Sequence, residues 1–376
     1  MKRNAGPRLW IGRLTLFLTV CLITVSPRAG MSAENVAIRF LKMDSSVEHV
    51  NPEMFKTLND VMDDACSRIK TLPRLGPGEW DPVYAESALR SIDDALVSHG
   101  FVYPDVGGED LLADGLTPFQ MKPARRISFE ARDENLRRKA AIERRFPGPF
   151  YPVDCWITCL IFLGVADLLN LPIHVIDLPG FDGQHGHNFV RWRQGVNFVD
   201  WETTLGCVEP DELYRANWNI SADEIKTGSA LTDLTPGQIL GHYQATIAMV
   251  YANHGDFERA LAELQESLRL CPHNLFACGD YGWYTAAAAK LRRRDYPGAI
   301  AVTKFSLGIV DDPDTRDTLA SLYASEGRFS LAVDEERLAA SESSVPDYKA
   351  RLKLFQHHEA FRETQESPNT NLEFKP

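Results

Sequence analysis

The chain has 376 residues, of which 44% are apolar and 24% charged. That is room for two or three domains with sizeable cores, and it excludes a disordered tail or a collagen-like chain. With 40 basic and 52 acidic residues the net charge is -12, which argues against a protein that binds nucleic acid by neutralising its phosphates.

The first thirty residues differ from the rest. Lys2, Arg3 and Arg8 precede an apolar run from Leu14 to Val25, and no acidic residue occurs before Glu34. This is the layout of an export signal, with an uncleaved anchor as the alternative and, through it, the only route to a membrane. Residues 1–32 are assigned to that segment. Cleavage removes Lys2, Arg3, Arg8, Arg13 and Arg28 and leaves an exported chain more acidic still. Six cysteines then remain, Cys66, Cys155, Cys159, Cys207, Cys271 and Cys278, too sparse for a disulfide scaffold. Cys271 and Cys278 flank an expected helix turn and are close enough in sequence to pair, but buried thiols behave as small apolar residues, and that reading is preferred.

Residues 33–149 read as a helical N-terminal part. Phe55, Leu58, Met62 and Ile69 repeat at helical spacing, Pro73 and Gly76 to Gly78 interrupt, and Ala85 to Val97 resumes the pattern. Pro104 to Pro123 is a turn-rich surface connection, and Arg125 to Arg145 mixes basic and acidic residues as solvated helix faces do. Cys155 to Leu169 is apolar almost all round and so reads as a buried helix, capped by Asp154 and ended by Asn170-Leu171-Pro172. Three strand-like runs follow: Ile173 to Leu178, His187 to Arg193 and Val196 to Glu202. Gln194-Gly195 is read as the hairpin turn joining the last two, and Pro179 to Gly186 as a loop of turn formers.

Cys155 falls at the first turn of the buried helix, where free amide N–H groups and the helix dipole favour a thiolate. A nucleophile of this kind needs a base and an orienting carboxylate. His187 opens the hairpin and supplies the base. A turn at Gln194-Gly195 puts His187 opposite Glu202 and diagonal to Asp200, with both carboxylates on its face, so register alone leaves the two acids open. Cys155, Cys159, His185 and His187 also make a possible zinc set, but the thiols lie one turn apart on an apolar helix rather than in a metal knuckle. Neither a metal nor another cofactor is expected.

From Gly241 onward three segments resemble one another: Tyr251 to Ala260, Lys290 to Ala299 and Tyr323 to Ala332. Their last alanines are 39 and 33 residues apart. A tight turn, an aromatic residue and a small alanine at this period are similar to tetratricopeptide repeats, whose period is about 34. Residues 236–345 are assigned to such repeats, an all-α solenoid that would take a protein or peptide partner, and 346–376 to a capping helix and tail.

The residues Cys155, Asn170-Leu171-Pro172, His187-Asn188-Phe189-Val190 and Phe198-Val199-Asp200-Trp201 resemble, in order and spacing, the transglutaminase-like branch of papain-like thiol proteins. The resemblance places the core in residues 150–235 and implies an α+β fold, a buried helix packed on an antiparallel sheet. It implies Cys155 as nucleophile, His187 as general base and Asp200 as its orienter, in acyl transfer or amide hydrolysis through a thioester. Asn170 stands where the family usually has glycine, and Asp154 puts an acid beside the thiol. Trp156, His185 and Glu202 are the candidates for binding, and the Cys155 amide with Trp156 or Tyr151 for oxyanion contacts. The alternative function is a non-catalytic scaffold in which both domains serve assembly.

Overall fold

A helix apolar on every side needs neighbours on every side. Helix α4, Cys155–Leu169, has them: all residues from Trp156 to Ala166 are buried. The computed structural model describes residues 34–47, 50, 52–73, 79–102, 150–180 and 186–363. Helices α1 (Val36–Asp44), α2 (Pro52–Lys70) and α3 (Pro82–Ser98) pack on one side of α4. A short parallel pair, β1 (Phe101–Val102) and β2 (Tyr151–Pro152), brings the chain to the start of α4. The N-terminal segment, the 104–145 region, His185 and the last residues of the tail lie outside the described residues.

On its other side α4 meets an antiparallel sheet of order β3 (Ile173–Leu178), β4 (His187–Gln194), β5 (Asn197–Glu202) and β6 (Cys207–Val208). Alternation sends Val175, Val190, Trp192 and Trp201 into the core shared with α4. Ile176, Leu178 and Phe189 go to a second cluster with Tyr214 of α5 (Asp211–Trp218) and Leu231. A short helix α6 (Ala222–Thr227) follows. The chain is thus a helix-rich α+β protein.

The hairpin register differs from the expected one. Gln194 pairs with Asn197, so the turn is Gly195-Val196, with Gly195 at φ +64 as the first central residue of a tight hairpin turn allows. Arg191 then opposes Asp200. The slip is even, so no side chain changes face, but each acid moves away from His187 along the strand. At the end of α4, Asn170 takes the left-handed conformation at φ 52, which explains why this residue can stand in a glycine position.

Residues 236–356 form three helix pairs and a last helix: α7 (Pro236–Asn253) with α8 (Phe257–Leu270), α9 (Leu275–Ala287) with α10 (Tyr296–Leu307), α11 (Pro313–Ser325) with α12 (Phe329–Glu342), then α13 (Pro346–Gln356). The three alanines of the repeat, Ala260, Ala299 and Ala332, are fully buried, as close helix packing requires. The longer first interval has a local cause. The α9–α10 connection runs from 288 to 295, whereas its counterparts run from 254 to 256 and from 326 to 328. Arg294 holds it by bonding the carbonyls of Thr285 and Ala286 at the end of α9. Helix α7 serves two cores, with Ile239, Tyr243 and Ile247 in the first and Ala245, Ala248 and Ala252 in the second. Among the described residues, no helix is long and apolar enough to cross a membrane.

Gly164 marks the closest approach in the first core. A Cβ there would lie 2.6 Å from Met62 Sδ and 2.9 Å from Ala37 Cβ. Met62 can shift, but the Ala37 methyl is fixed to the backbone of α1. Gly164→Ala is therefore expected to destabilise the protein by about 1–3 kcal/mol despite its better helix propensity, read as a lower urea midpoint. A midpoint at or above that of the parent would disprove the close-packing account.

Candidate active site

The Asp154 side chain caps α4, accepting the Ile157 amide at 2.7 Å. Desolvation at this helix end outweighs the amides and pushes its carboxyl up to about 6. The acid beside the thiol is thus engaged with the helix terminus. Cys155 follows as the first helical residue and is half-buried. Its neighbour Cys159, one turn on, is fully buried, with its Sγ 3.9 Å from Thr203 Oγ1 and its thiol pushed up by burial. Thr158 joins the same threonine at 2.8 Å, which ties α4 to the chain just after β5.

His187 and Asn188 occupy the first two positions of β4, beside the start of α4. Asn188 Oδ1 is 3.9 Å from Cys155 Sγ, and the His187 imidazole is near enough to the same thiol for Cys155 to be among the groups that raise it. His187 Nε2 is 2.6 Å from Glu202 Oε2, which leaves Nδ1 as the ring nitrogen for Cys155. The imidazole partner is thus Glu202, expected as a binding residue, rather than Asp200. The physical reason is the register: Asp200 sits opposite Arg191 and binds it through both oxygens, at 2.5 and 2.7 Å. Arg191 also reaches Asp211, so Asp200 belongs to a buried ion network on the sheet.

Glu202 is held from every side. One oxygen accepts the Thr204 amide at 2.9 Å and the Thr204 hydroxyl at 2.5 Å, and the other accepts the Tyr214 hydroxyl at 3.0 Å besides His187. Burial alone would raise this carboxyl, but the His187 charge and these donors outweigh it and lower it below its usual 4.5. For His187, burial opposes the charged form, yet the Glu202 carboxylate and the contact with Cys155 raise the imidazole well above its ordinary 6.5. The ring stacks on Trp218 at 5.2 Å between centroids, and Tyr214 stacks on Phe189 at 4.0 Å. Aromatic faces therefore confine the imidazole to one plane.

Trp156 is 8% exposed and faces α7, its ring 5.9 Å from that of His242, with its buried indole nitrogen unpartnered among the described residues. Tyr151 lies in β2, beside Phe101. His185 is outside the described residues. Among the described residues, no group of three or more His, Cys, Asp or Glu is arranged to hold a metal ion. Cys66, Cys155, Cys159, Cys207, Cys271 and Cys278 are all free thiols. Thr204, Tyr214, Trp218 and Asn188 were not singled out from sequence. Only Asn188, next to the base, carried a positional hint. No family model matches the chain, and no curated protein matches it.

The His187–Glu202 pair links charge to stability in both directions. The raised imidazole contributes stability below its ordinary 6.5, and this is lost as pH rises through its folded value; the lowered carboxyl contributes above its ordinary 4.5 and fails as pH falls. Glu202→Gln keeps the shape and removes the charge, so burial is opposed only by Cys155. The His187 titration, followed by NMR, is expected to move down from its raised value. If it does not move in the variant, Glu202 is not a cause of the shift. At the cap, Asp154→Asn retains the acceptor and is expected to be neutral or stabilising at pH 7, whereas Asp154→Ala costs about 0.5–2 kcal/mol in a denaturant titration.

Proposed function

We propose that the chain is an exported, transglutaminase-like thiol enzyme that carries out acyl transfer or amide hydrolysis on a protein or peptide, with tetratricopeptide-type repeats recruiting the substrate. The observation that carries the reading is the Cys155–His187–Glu202 grouping: a half-buried thiol at a helix N-terminus, an imidazole electrostatically coupled to it, and a carboxylate 2.6 Å from the imidazole Nε2. That is the order of nucleophile, base and orienter in thiol-dependent acyl chemistry.

In this reading the proton shared between Cys155 and His187 resides on the imidazole, which its raised affinity favours, and Cys155 Sγ attacks the carbonyl carbon of a bound amide. The imidazolium, stabilised by Glu202, then returns the proton to the leaving amine, and a thioester remains on Cys155. Water or an acceptor amine attacks the thioester, gives up its proton to His187, and frees the thiol. Glu202 stays ionised throughout, because Tyr214 and Thr204 satisfy its remaining lone pairs. Recruitment through the repeats rests on the three helix pairs that α7 begins.

The test is the alkylation rate of Cys155 by iodoacetamide, located by mass spectrometry, in the whole chain at pH 7. Cys155 is expected to react at least about tenfold faster than a free cysteine, and His187→Ala to slow it by about tenfold or more. Cys155→Ala is expected to abolish turnover of any peptide amide found in a substrate screen. A thiol of ordinary rate that ignores His187→Ala would sink the enzymatic reading and leave the scaffold.

A further inference from the structure

Asn188 touches the nucleophile from the side opposite to the base in the strand's alternation, and its own orientation is set elsewhere. Its partner across the β3–β4 ladder is Asp177. Asn188 Nδ2 donates to Asp177 Oδ1 at 2.8 Å, while Asn188 Oδ1 faces Cys155 Sγ at 3.9 Å. An ionised carboxylate only accepts hydrogen bonds, and a carboxamide has one donating end and one accepting end. As long as Asp177 carries its charge, the amide must therefore turn its N–H₂ to Asp177 and its carbonyl to the sulfur. Asp177 is anchored in turn: its backbone carbonyl accepts the Leu231 amide, and its second oxygen lies 4.0 Å from His242 Nδ1 on α7.

A carbonyl facing sulfur suits one protonation state. A thiol can donate its S–H to that oxygen, whereas a thiolate meets only lone pairs. The α4 terminus and His187 pull the other way. We propose that Asp177 is a positioning residue for the nucleophile, acting through Asn188: the pair latches the amide with its carbonyl toward Cys155, an acceptor for the S–H that moderates the activation supplied by the α4 terminus and His187. The inference rests on the reading of Cys155 as nucleophile. Release of the latch lets the amide rotate by half a turn and present N–H to the thiolate, which converts a brake into a hydrogen-bond donor for the reacting sulfur.

The experiment is a double-mutant cycle on Cys155 alkylation in the whole chain at pH 7. Asp177→Asn is isosteric and can either accept or donate, so both orientations of Asn188 become available. It is expected to raise the alkylation rate by roughly three- to tenfold. In an Asn188→Leu background the same substitution is expected to leave the rate nearly unchanged, because no amide remains to turn. Asp177→Glu keeps a carboxylate and is expected to retain the parent rate. Each variant is compared only where its thermal midpoint and circular dichroism match the parent; Asn188→Ala replaces Asn188→Leu if the latter does not fold. A structural role alone would lower the midpoint without any gain in rate. The proposal is overturned if Asp177→Asn gives no gain, or if the gain persists in full without Asn188, since that would be the through-space effect of one lost charge. His187→Ala separates the two readings: loss of rate there with no Asp177 effect discards the latch alone, and a rate that ignores His187 discards the catalytic base while the cycle still decides the latch.

Discussion

Burial of helix α4 on all sides is the constraint from which the site follows. A helix end inside a protein leaves amide groups that must be satisfied, and here the one acid that precedes the helix is spent on them. That leaves Cys155 as the first residue beyond the cap, at the border between the packed interior and solvent. The same burial requires a sheet face on one side and helices on the other. The sheet brings the start of β4 beside the helix terminus, and His187 with it. Cys155 and His187 thus come together because two regular elements share a boundary.

Around this boundary the polar groups fall into two sets that do not mix. Glu202, Thr204, Tyr214 and His187 form one, and Asp200, Arg191, Asp211 and Asp233 the other. Arg191 is taken up by the three aspartates of its own set, so it does not compete for the carboxylate that pairs with the imidazole. Low solvent access strengthens each set and makes each costly to leave half-satisfied. Glu202 has a side-chain exposure of 4% and is therefore tuned by its neighbours rather than by solvent.

Much of this was legible in the sequence where one residue type answers to one local rule. The bounds of α4 follow from Asp154 before it and Asn170-Leu171-Pro172 after it, and β3 from its apolar run. The choice between Asp200 and Glu202 was not legible, because it depends on whether Gly195 is the first or the second residue of a two-residue turn. Both turns keep the same faces, and only the backbone conformation of Gly195 separates them. Tyr214 and His242 were out of reach for a different reason. They lie on helices, 12 and 65 residues along the chain from the groups they approach, Glu202 and Asp177, and nothing in local periodicity marks such a partner. The helix pairs were legible through their alanines, and the extra residues of the first interval proved to be a longer connection pinned by Arg294 rather than a broken repeat.

The double duty of α7 has a consequence for how the chain holds together. Its Ile239, Tyr243 and Ile247 complete the core that contains α4, while Ala245, Ala248 and Ala252 begin the core of the helix pairs. A cut at the apparent border before Pro236 would strip three side chains from the interior of the first core and open it to water, at roughly 1.5–3 kcal/mol for each large apolar group exposed. The helix pairs are therefore not a detachable appendage. Loss of order in either region withdraws a wall from the other, so the two melt as one cooperative body, and a gene rearrangement that exchanged the array would have to carry α7 across with both of its faces intact.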